Sequence, residues 1–248
     1  MRIGAIVQAR MGSRLPGKVL LEAAGKTLLE HLMGRLGESR RLDFIVVATS
    51  TSAQDDCIDA LCRARRFVCF RGSEQDVLDR YYQAARAFRM DVVVRITADC
   101  PLIDPDVMDE IVGRFLDARG SYDLVTNRHP LTFPDGLDVD VMSFEGLSQA
   151  WANATTPAQR EHTVPYFWEA GLRVLNVEHP ANLFLTHRWT LDYWEDYLLI
   201  KAVLEALDRP GRAARMDEIL AWLAAHPEVS GLNAHLLPTA SATGARAA

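Results

Sequence analysis

The 248-residue sequence contains no apolar run long enough to cross a bilayer, only four cysteines and no excess of basic residues. A membrane-spanning helix needs about 20 apolar residues, and the first residues enter strand-like sequence without the apolar core of a signal peptide. These absences predict a cytoplasmic protein without a membrane partner. The 27 basic and 33 acidic residues give a net charge of −6, which argues against a nucleic-acid partner because such a surface needs a basic excess. Any phosphate site must therefore be local.

The cysteines lack the paired two-residue spacing of a zinc site, and nothing in the sequence indicates an oxidising compartment. We therefore expect reduced, mostly buried thiols at Cys57, Cys62, Cys69 and Cys100. The remaining composition, 49% hydrophobic and 24% charged, is typical of a soluble globular protein. We expect a single domain over residues 1–238, followed by a disordered tail of small and polar residues at 239–248.

The first hundred residues alternate short apolar runs with segments of helical periodicity, which predicts an α/β protein with a mainly parallel sheet covered by helices. The predicted strands lie at residues 3–7, 44–48, 67–70, 92–96, 123–126, 137–142, 173–177 and 187–190. The predicted helices lie at residues 27–36, 54–64, 74–88, 105–116, 144–151, 157–169, 193–207 and 216–225. Asp104 and Ser143 have the side chains and positions of helix N-caps.

The segment Gln8-Ala9-Arg10-Met11-Gly12-Ser13-Arg14-Leu15-Pro16-Gly17-Lys18 follows the first predicted strand. Ligands of parallel sheets collect at the carboxyl ends of strands. Two glycines allow backbone amides to approach a ligand closely, and Arg10, Arg14 and Lys18 supply three cations within nine residues. This combination favours a phosphate-binding loop over a solvated basic turn.

A second glycine-lysine pair, Gly25-Lys26-Thr27, resembles the end of a P-loop. That motif needs a glycine five residues before the pair, where this sequence has Leu20. The segment therefore predicts a turn and then a helix that Thr27 caps.

Carboxylates suggest where a metal could bind. Asp99 follows the strand at 92–96, where a carboxylate can hold Mg²⁺ against nucleotide phosphates, although a turn-forming aspartate is the alternative. Asp138 and Asp140 form a D-x-D triplet and would point to the same face of a strand, so they could chelate a metal together. Asp99 already occupies the expected strand end, which favours a substrate-pocket role for Asp138.

Five segments in this order resemble the cytidylyltransferase family of the spore coat polysaccharide biosynthesis F type, which is similar to the CMP-Kdo and CMP-sialate synthetases. They are residues 8–18, 71–81, 95–104, 133–139 and 160–162, and the resemblance covers roughly residues 1–208. It implies a three-layer αβα sandwich with a Rossmann-like nucleotide-diphospho-sugar transferase fold and a mainly parallel mixed sheet. It also implies transfer of CMP from CTP to a sugar, with release of pyrophosphate.

The resemblance assigns residue roles. The loop that wraps the triphosphate in the relatives matches Gln8, Ala9, Arg10, Met11, Gly12, Ser13, Arg14 and Lys18, and the segment beside the cytosine matches Arg71, Gly72, Ser73 and Asp76. Asp99 and Asp192 match the two aspartates that bind Mg²⁺, although Asp192 could instead cap a helix. We expect Arg10, Lys18 and Asp99 to be catalytic.

An acidic sugar needs a fixed guanidinium that binds its carboxylate in bidentate fashion. Arg160 and Arg188 are the candidates, with Asp138 and His162 in the same substrate pocket. A structural hydrogen bond is the alternative for His162. The resemblance further implies a homodimer that pairs through residues 120–190, where Phe133, Trp151, Tyr166, Phe167 and Trp168 cluster in sequence.

Two departures from the family leave other functions open. The phosphate loop is one residue short between Ser13 and Arg14, and the turn after Asp192 reads Tyr-Trp-Glu-Asp, where relatives carry a small residue and a proline. One alternative is a glycosyltransferase that consumes a nucleotide sugar and binds its metal with Asp138 and Asp140. The other is a nucleotide-binding homologue without turnover.

Overall fold

The computed structural model describes residues 1–12, 14–118, 120–209 and 211–238, so Ser13 and the expected tail at 239–248 lie outside the described residues. The strands are β1 Ile3–Gln8, β2 Glu22–Ala23, β3 Lys26–Thr27, β4 Phe44–Ser50, β5 Val68–Gly72, β6 Val92–Thr97, β7 Leu124–Thr126, β8 Asp140–Ser143 and β9 Val174–Asn176. The helices are α1 Leu28–Leu36, α2 Asp56–Arg65, α3 Val77–Ala87, α4 Pro105–Asp117, α5 Phe144–Asn153, α6 Pro157–His162, α7 Pro165–Glu169, α8 Trp194–Leu207, α9 Met216–Ala225 and α10 Pro227–Ser230.

Seven strands form one sheet in the order β5-β4-β1-β6-β8-β7-β9, and β2 and β3 form a separate hairpin. β8 runs antiparallel to β6 and β7, whereas the other neighbours in the large sheet are parallel. β4 and β5 extend from one side of β1 and β6 lies on its other side, so the strand order reverses between β1 and β6. Ligands of α/β sheets bind at such a reversal, beyond the carboxyl ends of the strands.

Helices cover both faces of the sheet. Ala5 and Val7 of β1 pack in the core beneath α1, α2, α4, α8 and α9, whereas Ile6 packs in the core beneath α3, α5 and α7. Burial on both faces is the reason β1 is a continuous apolar run rather than an alternating one. The expected three-layer αβα architecture is confirmed. The extent of the single domain, residues 1–238, stays a prediction.

Local capping chemistry fixes the helix starts that the sequence indicated. Thr27 caps α1 in a reciprocal box with Glu30, Asp104 caps α4, and Ser143 caps α5. Lys26 belongs to the β2–β3 hairpin, so the segment that resembles a P-loop is a structural turn, as predicted.

Two predicted elements differ from the structure near Asp135. The strand expected at 137–142 starts only at Asp140, because Gly136 turns the chain with a φ of 112° and the Leu137 amide donates back to the Pro134 carbonyl. The strand expected at 187–190 forms a single bridge, between Asp135 and Arg188.

The long helix expected at 157–169 is two helices. Thr163 has a φ of 69°, which no right-handed helix contains, and it separates α6 from α7. α6 and α7 are therefore two separate helices near the carboxyl edge of the sheet.

All four cysteines are free, as expected, but Cys57 is exposed rather than buried. Among the described residues, every helix is too short or too polar to span a bilayer.

Gly136 provides a test of how the loops of this edge fit together. A Cβ on Gly136 would lie 2.6 Å from the backbone of Trp189 and Thr190. We expect Gly136→Ala to lower the free energy of unfolding by more than about 2 kcal/mol, because strain at positive φ adds to overlap with backbone atoms. Urea denaturation measures the change.

Gly171→Ala is the matched control, because Gly171 also has a positive φ but no atom within 4 Å of the added Cβ. It should cost only the backbone strain, about 1–2 kcal/mol. Equal losses in the two variants would show that the Gly136 contact is unimportant.

Candidate active site

Many of the predicted functional residues converge because neighbouring strands end at one edge of the sheet. β1 ends at Gln8 and β6 at Thr97. β7 ends at Thr126 on the same edge, and antiparallel β8 begins there at Asp140. The loops beyond these ends enclose two adjoining cavities.

The first cavity, of about 230 Å³, lies at the reversal between β1 and β6. One side is lined by the segment at the end of β1 (residues 8–12 and 14–18, called here the β1 loop), through Gln8, Arg10, Gly12, Arg14 and Lys18. Asp99, Glu161 and Asp192 line the opposite side. The second cavity, of about 350 Å³, has charged walls that include Arg95, Arg128, Asp138 and Arg188, and an apolar wall that includes Leu131, Trp168 and Phe184. Arg14, Asp99 and Asp192 line both cavities.

Lys18 lines the first cavity and pairs with two carboxylates of the shared wall, Asp99 and Asp192. Its Nζ donates to Asp99 Oδ2 at 3.2 Å, to Asp192 Oδ1 at 2.9 Å and to the Leu191 carbonyl at 2.6 Å. Burial would lower the pKa of Lys18, but Asp99 and Asp192 together hold it above its usual value. The side chain is therefore a fixed cation between two carboxylates.

Asp192 is held by cations rather than by a helix terminus. Its carboxylate also accepts from Arg14 at 2.9 Å and from Arg188 at 3.4 Å. Burial opposes ionisation, yet Lys18, Arg14 and Arg188 keep the pKa of Asp192 below its usual value. The N-cap of α8 is Tyr193, so the alternative that Asp192 caps the helix is wrong.

The donor set at this wall fits a magnesium ion. Mg²⁺ binds through one or two protein carboxylates and completes its shell with phosphate and water. Asp99 and Asp192 both lie within 3.2 Å of the same ammonium nitrogen, so one small cation can contact both. No set of three or more histidine, cysteine or carboxylate side chains converges as a metal site within the part of the chain that the structure describes.

The β1 loop divides into residues that line the first cavity and residues that anchor the loop. Gln8 Oε1 is buried and has no hydrogen-bond partner among the described residues, which leaves an acceptor for a ligand. Gly12 has a φ of 69°, and its backbone borders the cavity. Ala9 and Met11 are anchors: their amides donate to Ala48 and Asp55.

The segment expected beside the cytosine does not reach the walls of either cavity with its predicted side chains. Arg71 donates to the Ser50 and Ser52 carbonyls, and Asp76 caps α3. Ser73 accepts from the Asp76 amide, and Gly72 packs against Arg80. The segment nevertheless lies beside the first cavity, because Arg10 Nη1 lies 3.4 Å from the Glu74 carbonyl. Contact of Arg71, Gly72, Ser73 and Asp76 with the base stays a prediction.

Arg188 differs from the free guanidinium that we expected. Asp196 occupies its Nε and Nη2 at 3.0 and 3.1 Å, Asp135 occupies Nη1 at 2.9 Å, and its side chain is only 1% exposed. The expectation of an open bidentate site is therefore wrong for Arg188, because neighbouring carboxylates have already taken that position. Arg160 donates to the Ala154 carbonyl and pairs with Asp76 at 3.4 Å, away from the walls of both cavities. His162 does line the second cavity.

Asp140 is a buried structural carboxylate. It accepts from Thr126 Oγ1 at 2.6 Å, from Arg95 Nη1 at 2.8 Å and from Arg128 Nη1 at 3.4 Å. Because these donors occupy both oxygens, Asp140 cannot complete a D-x-D metal site with Asp138, which itself pairs with Arg128 at 2.9 Å. This arrangement removes the structural support for the glycosyltransferase alternative.

Sequence reasoning missed Arg128 and Glu161 as cavity residues. A signal for Arg128 was present, since it comes two residues after the strand predicted at 123–126. Functional groups tend to follow strand ends, and the same rule that identified Asp99 also identifies Arg128.

The aromatic residues expected at a subunit interface lie largely within the protein. Phe133, Tyr166 and Phe167 belong to the buried core. Trp151 stacks on Tyr82 with 4.2 Å between ring centroids, and Trp168 stacks on His129 at 4.7 Å. These residues therefore supply packing energy to the monomer, whatever its assembly.

A model of the cytidylyltransferase family matches residues 4–185. The chain belongs to the cytidylyltransferase family. Spore coat polysaccharide biosynthesis protein SpsF of Bacillus subtilis is 33% identical over 237 residues, which cover 91% of this chain and 95% of that protein. The 3-deoxy-manno-octulosonate cytidylyltransferase of Chlamydia trachomatis serovar A is 29% identical over 178 residues, 67% of this chain and 68% of that protein.

A solved structure of a cytidylyltransferase from Leptospira borgpetersenii superposes with a TM-score of 0.87 and 31% identity, covering 92% of this chain and 96% of that one. The family and the fold class predicted from the sequence are thus confirmed. This cytidylyltransferase is a CTP-utilising nucleotidyltransferase, which confirms the predicted enzyme class.

The lowered pKa of Asp192 gives a pH-dependent prediction. The ionised carboxylate stabilises the folded cytidylyltransferase above the pKa of an unfolded aspartate, about 3.9, and this contribution is lost as the pH falls through the lower folded value. We expect Asp192→Asn to be less stable than the unmodified protein at about pH 6, and the difference to shrink at about pH 3. Urea denaturation at both pH values checks it.

Asp117→Asn is the control, because Asp117 is exposed and pairs with no other described residue. It should change the free energy of unfolding little at either pH. A deficit of Asp192→Asn that stays constant between the two pH values would contradict the assigned ion pairs.

Proposed function

We propose that this cytidylyltransferase transfers CMP from CTP to an acidic sugar and releases pyrophosphate. The observation that carries the proposal is the wall of Arg14, Asp99 and Asp192 that the two cavities share. With CTP in the first cavity and the sugar in the second, the sugar hydroxyl and the α-phosphorus meet at this wall. A relative named for 3-deoxy-manno-octulosonate, a sugar acid, supports an acidic acceptor, and a relative named for polysaccharide biosynthesis supports a role in surface glycans.

In-line attack of a hydroxyl on phosphorus depends mainly on positioning and on neutralising charge. Arg10 and Lys18 line the first cavity from one loop, where they can bind the phosphates that leave as pyrophosphate. Arg14 reaches the shared wall, so it can stabilise the charge on the α-phosphate. Gly12 allows backbone amides to approach the phosphates, and Gln8 offers its free acceptor to the nucleotide.

Asp99 and Asp192 are the residues that would hold Mg²⁺ in this proposal. When bound, Mg²⁺ polarises the α-phosphate and lowers the pKa of the attacking hydroxyl. The chain itself contributes the two carboxylates and holds both of them beside Lys18. Asp99→Asn should therefore remove most turnover while the fold is kept.

The proposal also includes base contacts from residues 71–76, a cytoplasmic location and a homodimer. The exposed aromatic residues Tyr193 and Trp194, 43% and 52% exposed, offer a contact surface next to the region 120–190 that the resemblance implies. Light scattering at micromolar concentration distinguishes a dimer from a 27.7 kDa monomer.

A product screen tests the central proposal. The four nucleoside triphosphates are each mixed with Mg²⁺ and a panel of acidic and neutral sugars, and pyrophosphate release is measured. CTP with a sugar acid should give pyrophosphate and a CMP-sugar. Release of a nucleoside diphosphate from a nucleotide sugar would indicate the glycosyltransferase instead, and CTP binding without any product would indicate a homologue without turnover.

Lys18→Ala tests the phosphate loop. We expect it to weaken CTP binding by about 1.5–3 kcal/mol, because a charged hydrogen-bond donor to phosphate is lost. Titration calorimetry with CTP and Mg²⁺ measures the change. Lys26→Ala is the matched control, since Lys26 is an exposed lysine of the β2–β3 hairpin beside the other glycine-lysine pair. Unchanged CTP affinity in Lys18→Ala would indicate that this loop is a solvated basic turn rather than a phosphate-binding loop.

A further inference from the structure

We infer that Arg128 binds the carboxylate of the acceptor sugar and thereby selects acidic sugars. The inference rests on the proposed function and assigns a residue that the family motifs in this sequence do not include. It follows from a comparison of the arginines that line the second cavity, Arg14, Arg95, Arg128 and Arg188.

Three of these arginines are unsuited to a substrate carboxylate. Arg188 is 1% exposed and already donates to Asp135 and Asp196. Arg95 is buried against Asp140, and its Nε is enclosed without a partner among the described residues. Arg14 pairs with Asp192 on the wall shared with the first cavity, where the proposed function requires it for phosphate.

Arg128 is both fixed and available. Its Nε donates to Asp138 at 2.9 Å and its Nη1 lies 3.4 Å from Asp140, so two carboxylates set the plane of the guanidinium. The Arg128 amide also donates to Thr126 Oγ1 at 3.1 Å, which ties the loop to β7. The side chain is 27% exposed, and Nη2 donates to no atom of the described residues. Because Nη1 carries a second hydrogen besides the one directed at Asp140, Nη1 and Nη2 still offer a donor edge at the cavity.

The neighbouring carboxylate completes the recognition site. Asp138 uses Oδ2 for Arg128, and within the described ranges, 1–12, 14–118, 120–209 and 211–238, no donor lies within hydrogen-bond distance of its Oδ1. The guanidinium donors and this acceptor lie side by side. A carboxylate with a hydroxyl on a nearby carbon matches that pair, because the acid accepts from Arg128 while the hydroxyl donates to Asp138.

The charges of the site also require a cation at this place. A sugar carboxylate in the second cavity lies near the phosphates in the first, and two anions in a partly buried site repel strongly without a cation nearby. The negative charges of Asp138 and Asp140 are balanced by the positive charges of Arg95 and Arg128. These two aspartates therefore do not repel the sugar carboxylate as unpaired aspartates would. Arg128 is absent from the walls of the first cavity, so its effect on CTP should be small.

The test uses the sugar acid that gives the fastest pyrophosphate release and the carboxamide of the same sugar. Arg128→Lys should raise KM for the acid roughly 10- to 100-fold, because an ammonium cannot reproduce the planar donor edge, and should leave KM for CTP within about twofold. The double variant Arg128→Gln with Asp138→Asn removes one charge of each sign. It should bind the acid and the carboxamide about equally, whereas the unmodified enzyme prefers the acid.

Arg173→Lys is the matched control, because Arg173 is likewise paired with carboxylate oxygens, those of Asp123 at 2.8 and 3.1 Å, but on the surface outside both cavities. Its KM values should stay unchanged. Calorimetry with CTP verifies that each variant is folded. If the double variant does not fold, the KM of Arg128→Lys for the acid decides the question.

The outcomes separate this inference from the proposed function. The double variant could still prefer the acid, and Arg128→Lys could leave KM for the acid unchanged. Those results would overturn the role of Arg128, while CMP transfer would stand. CMP transfer to neutral sugars alone would also overturn it. Absence of pyrophosphate with every sugar would refute the proposed function itself, and the inference with it.

Discussion

A buried ion pair between Arg188 and Asp196 holds the loop that completes the candidate active site. Removing two charges from water costs several kcal/mol per ion unless hydrogen bonds satisfy them. Asp196 is fully buried and accepts from two Arg188 nitrogens, from Asn233 Nδ2 and from the Asp192 and Tyr193 amides. That dense set of donors compensates the carboxylate and fixes the backbone at Asp192. The position of Asp192, a candidate metal ligand, thus depends on Asp196, which lines neither cavity.

The shared wall solves a problem that its own chemistry creates. Asp99 and Asp192 come from distant parts of the chain, and two carboxylates brought together repel each other and shift toward protonation. Lys18 lies within hydrogen-bond distance of both and offsets this repulsion, and with Arg14 and Arg188 it keeps the pKa of Asp192 below its usual value. A lysine is well suited to this position because its flexible stem can reach either the carboxylates or, in the proposed function, a phosphate. In the proposed function, the same side chain therefore links the stability of the carboxylate pair with nucleotide binding.

The part of the site that follows from strand ends could be predicted from the sequence, and the part that follows from ion pairing could not. Asp99 and the β1 loop were placed correctly beside each other because a parallel sheet brings its carboxyl ends to one edge. Arg188 was misassigned because its partner Asp196 is eight residues away on the next helix, and no periodicity reveals that the two meet. Asp192 resembles a helix cap by residue type alone, whereas in the structure the side chain of Asp196, inside α8, binds back to the amides of Asp192 and Tyr193.

The two cavities differ in what their charges leave for a ligand. In the first cavity Arg10, Arg14 and Lys18 face Asp99, Glu161 and Asp192, so the walls carry three charges of each sign. A triphosphate is strongly anionic, and these walls offer it no net positive charge. Direct contact with the three cations must therefore be accompanied by neutralisation of the carboxylates, which is the task that the proposed function gives to a divalent ion. In the second cavity the cations are likewise paired, but Arg128 keeps a donor edge free, so a single carboxylate can bind there without a metal. In the proposed function, this difference is what would let the same edge of the sheet hold a nucleotide and a sugar acid side by side.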